Sequence, residues 1–234
     1  MEIIFLNRDV IVINKPAGML VHRTGAKRSG EETVADAIAK QFPEIRRVGD
    51  DPAVRPGIVH RLDKDTSGAL LVARSQETFE YLKKLFQRHE IKKEYLALVR
   101  GAVKTDGVIE KPIGLRPGTT KRSVNAKRMK MVKEAVTHYR TLEHFTKNSK
   151  EYTLLRVIPE TGRTHQIRVH LASIGYPVVG DVLYGGKKAK AGEAGRLMLH
   201  AAAIEFTLPS GERLRLEAEP PEDFMKVVGA LSSG

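Results

Sequence analysis

The sequence predicts an α+β fold with a mixed, largely antiparallel sheet, and three observations carry that expectation. Strand-like stretches outnumber helix-like ones. They fall into hairpins rather than repeated βαβ units, and no internal repeat or low-complexity linker breaks the chain. Residues 2–6 and 10–13 read as strands joined at Asn7-Arg8-Asp9, and Lys15-Pro16-Ala17-Gly18 supplies turn chemistry after the second. In 31–41, Val34 and Ile38 stand four apart among polar residues, the spacing of an amphipathic helix.

Residues 57–59 and 69–72 are strand-like and flank the nonapeptide from His60 to Gly68. Ser75 is a helix N-cap, and Phe79, Leu82, Leu85 and Phe86 form the apolar face of a helix running to about residue 89. Stretches 136–145 and 152–159 pair across a polar turn at 146–150. Ile167, Leu171 and Ile174 mark a helix over 164–174, closed by Gly175. A last hairpin, 203–208 with 212–216, turns around Pro209-Ser-Gly211.

At 234 residues, 41% of them hydrophobic, the chain is long enough to bury a sizeable core. Forty Lys and Arg against 28 Asp and Glu leave a net charge of +12, which suits either solubility or a polyanionic partner. Clustering favours the partner: seven basic residues and no acid lie between Arg116 and Lys133. That run contains Pro117-Gly118 and Thr119-Thr120, so it is expected to be a loop. With no cysteine there is no disulfide framework, thiol nucleophile or thiolate metal site. The N-terminus is too short in apolar length for a signal peptide, and no stretch approaches a membrane span. A cytoplasmic protein is the expectation.

The nonapeptide His-Arg-Leu-Asp-Lys-Asp-Thr-Ser-Gly sets Asp63 on a constrained turn or strand end beside Arg61 and His60. Its carboxylate can be held ionised and aimed at a substrate, or it can simply bond its own turn; these residues alone leave both readings open. Asp65, two positions on, points the other way in extended chain and is the poorer candidate.

The nonapeptide resembles the active-site motif of the RluA-type pseudouridine synthases. Four further segments are similar to signatures of that family in the same order: Asp9 to Gly18, Lys93-Glu94-Tyr95-Leu96-Ala97, Thr161 to His170, and Gly180-Asp181-Val-Leu-Tyr184-Gly185 followed by Leu199-His200-Ala201. Together they span most of the chain. The resemblance implies a long curved sheet with an active-site cleft across its middle, and a single catalytic domain over 1–234 that grips RNA without a separate N-terminal RNA-binding domain.

The same resemblance implies isomerisation of uridine in ribosomal or transfer RNA. Asp63 is the catalytic carboxylate, Tyr95 stacks on the base and takes the C5 proton, and Arg168 pairs with Asp63. Arg61 fills the gap left by the flipped base, and Leu199 walls the uracil. His60, Arg163, Lys127 and Arg128 complete the expected RNA or substrate contacts, with His60 chiefly bracing its turn. Such chemistry needs no metal or other cofactor, and His165 and His170 are poorly spaced for a shared ion. A monomer is expected. Two other readings are an inactive RNA-binding relative, disfavoured by intact Asp63, Tyr95 and Arg168, and a nucleosidase, disfavoured by the charge and by the lack of a paired carboxylate.

Overall fold

Apolar runs at 10–13 and 69–73 become strands with almost no surface left to water. β1 (Glu2–Leu6), β2 (Val10–Lys15) and β3 (Ser67–Ala73) form an antiparallel meander, with Ile3 opposite Ile13 and Val12 opposite Leu71. The first turn forms where it does because the Asn7 side chain accepts from the backbone N–H groups of Asp9 and Val10, at 2.9 and 2.8 Å. The computed structural model describes residues 1–23, 30–119, 121–125, 129–186 and 194–232. The chain divides into two units, Met1–Lys92 with Ala201–Glu219, and Lys93–His200 with Pro220–Gly234.

Helices cover the meander of the first unit. α1 (Val34–Gln41) opens with a reciprocal capping box between Thr33 and Asp36. α2 (Gln76–Gln87) is capped by Ser75, whose hydroxyl accepts from the Thr78 N–H at 3.1 Å. Phe79, Leu82 and Leu85 of α2 share one buried cluster with Val10, Val12 and Leu71, so the helical period and the strand alternation meet in the same core.

The second unit is built on β4 (Lys92–Arg100), β5 (Gly107–Glu110), β6 (Ile113–Leu115), β7 (Arg122–Ser123), β8 (Lys130–Lys133), β9 (Val136–Lys147) and β10 (Lys150–Pro159). β4, β10, β9 and β5 pair in that order, all antiparallel. The β9–β10 turn is tighter than the sequence suggests. Only Asn148 and Ser149 lie between the strands, both at positive φ (+50° and +59°), the hand that suits a twisted hairpin. α3 (Gln166–Ser173) follows, and α4 (Glu222–Ser232), which the sequence reading did not anticipate, buries Phe224 and Val228 four residues apart.

The basic run departs from the expected loop. Its described parts include β7 and β8, which pair on either side of β6 in a three-stranded sheet. Gly114 of β6 allows this because a Cβ there would sit 2.7 Å from the Met129 side chain. Pairing with a buried β6 stabilises extended chain that local composition disfavours.

β11 (Leu199–Thr207) starts in the second unit and runs on into the first, where it forms a hairpin with β12 (Arg213–Glu217). Beside it, Gly68 of β3 is held at φ +115°, where a Cβ would lie 2.2 Å from the Ala201 carbonyl oxygen. Only glycine fits, so the last residue of the nonapeptide sets the approach of β3 to β11. Gly68→Ala should cost more than about 2 kcal/mol from the φ penalty and backbone overlap. A chemical-denaturation midpoint equal to wild type would show that the strands can move apart.

Candidate active site

Asp63 sits on a turn secured from both sides. Leu62 plugs into the core, Thr66 and Ser67 are buried, and the Thr66 N–H donates to the Asp63 carbonyl at 3.2 Å. Between these anchors the Asp63 side chain is half-buried, while Arg61, Lys64 and Asp65 are exposed. Asp65 lies inside the turn at 63–66 rather than on extended chain, so turn geometry separates the two carboxylates, not strand alternation. His60 accepts the Leu71 N–H on Nε2 at 2.9 Å and stacks on Phe86 at 4.8 Å, the bracing role the sequence suggested.

Lys15 was missed. Its wholly buried ammonium donates to the carbonyls of Pro16, Met19 and Lys64 at 2.8, 2.8 and 2.9 Å. It therefore ties the Lys-Pro-Ala-Gly turn to the nonapeptide turn, and a buried cation with three acceptors is costly to disturb. The available signal was a lysine ending a strand whose first four residues are all apolar. On the same unit, His22 is held below the ordinary histidine range by burial and by the charges of Arg61 and Arg55.

In the second unit Tyr95 lies on β4 opposite Val157 and is buried. Strand alternation puts Lys93 on the same face as Tyr95 and Ala97, and burial pulls its ammonium down to about 8. Glu94 points the other way and pairs with Arg156 at 2.9 Å.

Arg168 is 7% exposed on the first turns of α3. Its Nε and Nη2 donate to the two oxygens of Asp181 at 2.8 and 2.9 Å, a planar bidentate pair with a wholly buried carboxylate. Sequence reasoning quoted Asp181 but gave it no role. Its placement follows from main-chain bonds: Val179 donates to Leu98 of β4 at 2.9 Å, and Met198 donates to Val179 at 2.9 Å. Gly180 then turns at φ +77°, where a Cβ would overlap the Arg196 carbonyl. Asp181 emerges from that turn and also accepts the N–H groups of Leu183 and Tyr184 at 2.9 and 3.1 Å. The Tyr184 ring lies 5.4 Å below the Arg168 guanidinium.

The segment before Arg168 is locked by Gln166. Its amide oxygen accepts from the Thr161 hydroxyl and the Arg163 N–H, and its NH2 donates to Val136 and Thr137. Arg163 precedes α3 rather than lying on it. Arg163 Nε donates to the Glu134 carbonyl on the exposed side. His170 is wholly buried between Thr137 and the Lys111 carbonyl, at 2.9 and 2.8 Å, whereas His165 contacts Tyr184. Leu199 is buried at the start of β11. Asp63, Arg61 and His60 thus belong to the first unit, and Tyr95, Arg163, Arg168 and Leu199 to the second. Lys127 and Arg128 lie outside the described residues.

The profile of a family described as RNA pseudouridylate synthase matches residues 9–173. Among curated proteins, ribosomal large subunit pseudouridine synthase D of Nitrosomonas europaea is 41% identical over 99% of this chain and 65% of its own length. The protein of that name from Vibrio cholerae is 39% identical over 99% and 71%. The chain thus spans about two thirds of the length of those relatives. Among solved structures, human RNA pseudouridylate synthase domain containing 1 superposes with a TM-score of 0.75 at 25% identity, over 100% of this chain and 95% of that one. The corresponding domain containing 4 gives 0.74 at 24% identity, over 99% and 93%.

Arg168→Ala should lower stability by roughly 3–5 kcal/mol, because it strands the buried Asp181 carboxylate. Arg163→Ala, on the surface, should cost less than about 1 kcal/mol. Equal midpoints for the two variants in urea would refute the assignment of Arg168 as the buried partner. Burial also lowers the pKa of His170 below its ordinary 6.5. In the unfolded chain His170 gains its proton as pH falls through 6.5, while the folded chain resists it, so its contribution is full above 6.5 and declines below. Melting temperature should fall more steeply toward about pH 5 in wild type than in His170→Gln. Parallel curves would assign the acid sensitivity elsewhere.

Proposed function

We propose that this chain, which belongs to the RNA pseudouridylate synthase family, isomerises uridine to pseudouridine in large-subunit ribosomal RNA. The chain is an isomerase of RNA by family. The ribosomal substrate is our reading, supported by the names of its relatives and by the +12 charge. The observation that carries the assignment of chemistry is the Asp63 turn: a half-buried carboxylate on a backbone held by Lys15, Leu62 and Thr66, inside the matched segment. Residues 1–234 act as one catalytic domain, in the cytoplasm and as a monomer.

The reaction breaks the bond from N1 of uracil to C1′, turns the base, and joins C5 to C1′, with the proton lost from C5 balanced by one gained at N1. Asp63 works at the sugar, and both routes open to a carboxylate, attack at C1′ or removal of a sugar proton, require it ionised. Arg168, the charge partner expected for it, is held within the second unit by Asp181. Tyr95 stacks on the base and receives the C5 proton, on a face of β4 where burial draws Lys93 down to about 8 and so makes its neutral amine more available as a base. Arg61, exposed next to Leu62, enters the space left by the flipped base, because a planar guanidinium can replace a base in the stack. Leu199 walls the uracil, while His60 acts on substrate only through the turn it braces.

Asp63→Asn should bind RNA like wild type and form no pseudouridine, since the amide keeps the shape but neither attacks nor accepts a proton. Tyr95→Phe keeps the ring and should lose about 10²–10⁴-fold in turnover. Both are read by pseudouridine mapping on large-subunit ribosomal RNA transcripts. Robust product from pure Asp63→Asn sinks the catalytic assignment. Modification by wild type of transfer RNA alone sinks the ribosomal one.

A further inference from the structure

Tyr184 joins two parts of the second unit that are secured very differently. On one side its N–H donates to Asp181 at 3.1 Å and its ring underlies Arg168 at 5.4 Å, so it belongs to the buried ion pair. On the other, its hydroxyl accepts the Arg122 N–H at 2.9 Å and shares a 2.9 Å hydrogen bond with Nδ1 of His165. Arg122 opens β7, a strand of two residues in a three-stranded sheet, which is an element of marginal stability by itself. Tyr184 also packs against the small cluster of Ile113, Ala135 and Val169 under that sheet.

A second observation says what reaches this point from outside. Nε of Arg122 is buried and has no hydrogen-bond partner among the described residues. A buried donor on a cation without an acceptor is unfavourable, and an anion corrects it. The surroundings are basic: Arg116, Lys121, Lys130 and Lys133 are exposed on the same run, with no acid between them. A phosphate of an RNA backbone has the charge and the paired oxygens that a guanidinium takes.

We propose that Tyr184 is a positioning residue: an RNA phosphate bound at Arg122 on β7 acts through its hydroxyl and ring to set the guanidinium of Arg168. The proposal rests on the function assigned above. Phosphate capture moves or stiffens β7, the Arg122 N–H carries that change to the Tyr184 hydroxyl, and the ring transmits it to the cation it supports. His165, at φ +56° immediately before α3, is held by the same hydroxyl, so the start of the helix bearing Arg168 is linked as well. RNA seated on the basic sheet then adjusts an Arg168 that Asp181 already holds.

The test is a double-mutant cycle of Tyr184→Phe and Arg122→Ala, with a large-subunit ribosomal RNA transcript as substrate. Tyr184→Phe keeps the ring and removes the hydroxyl. At saturating RNA its kcat should fall at least tenfold, with KM changed less than about threefold. Arg122→Ala should lower kcat as well, and adding Tyr184→Phe to it should change kcat by less than about twofold. Independent multiplication of the two losses, or full kcat in Tyr184→Phe, overturns the proposal. Should Tyr184→Phe fail to fold, Arg122→Lys decides: recovery of the kcat lost in Arg122→Ala supports a phosphate contact, and equal kcat in all three proteins overturns it.

Amide hydrogen exchange separates this inference from the assigned activity. Binding of the transcript should slow exchange at Leu183 and Tyr184 in wild type, and in Arg122→Ala it should not. Wild type that makes no pseudouridine but shows this difference refutes the proposed function and leaves the link standing. Active wild type without the difference refutes the link.

Discussion

The buried pair of Arg168 and Asp181 is the interaction on which the second unit is organised. Taking both charges out of water is expensive, and two parallel N–H···O contacts offset that cost only while the geometry is kept. Asp181 meets the demand by also accepting two backbone N–H groups, which fixes the turn after Gly180. That turn hangs from β4 through Val179, so the strand bearing Tyr95 and the helix bearing Arg168 are referred to one short stretch of main chain. Tyr184, Leu183 and the start of α3 all take their positions from it.

The first unit reaches the same end by another device. A lysine, a compact ammonium with three donors, collects three carbonyls from two turns and leaves none of its surface to solvent. Arginine would not serve there, since its fork matches a carboxylate rather than scattered carbonyls. In both units a desolvated cation secures a turn, the one at Asp63 in the first and the one after Gly180 in the second. The loops themselves stay at the surface, with Arg61 and Lys64 outside the core. Rigid backing with an exposed working face is what a large folded substrate requires.

The basic run shows how charge and fold divide their work. Its surplus of lysine and arginine is a property of composition and already points to a polyanion. Its pairing around β6 depends on Ile113 being buried and on the missing Cβ of Gly114, which holds Met129 close. Charge thus selects the partner, and packing decides where that charge is displayed.

The hairpins, the capped helix after Ser75, the Asp63 turn and the family were legible in the residues, because each depends on local spacing: alternation of two, repetition of three to four, or turn chemistry within a few positions. Asp63, Tyr95 and Arg168 were named from the resemblance of their segments to the family's motifs. The partnership of Arg168 with Asp181, the burial of Lys15 and the reach of Tyr184 to Arg122 were not legible. They join residues 13, 49 and 62 positions apart, and no local period encodes such pairs. The small sheet in place of a loop and the start of α3 at Gln166 were likewise settled by long-range bonds, from β6 and from the strand at Val136. Local physics determined which segments are strands, helices and reactive turns. Tertiary structure alone decided which buried charges meet, because that depends on which groups lose water together.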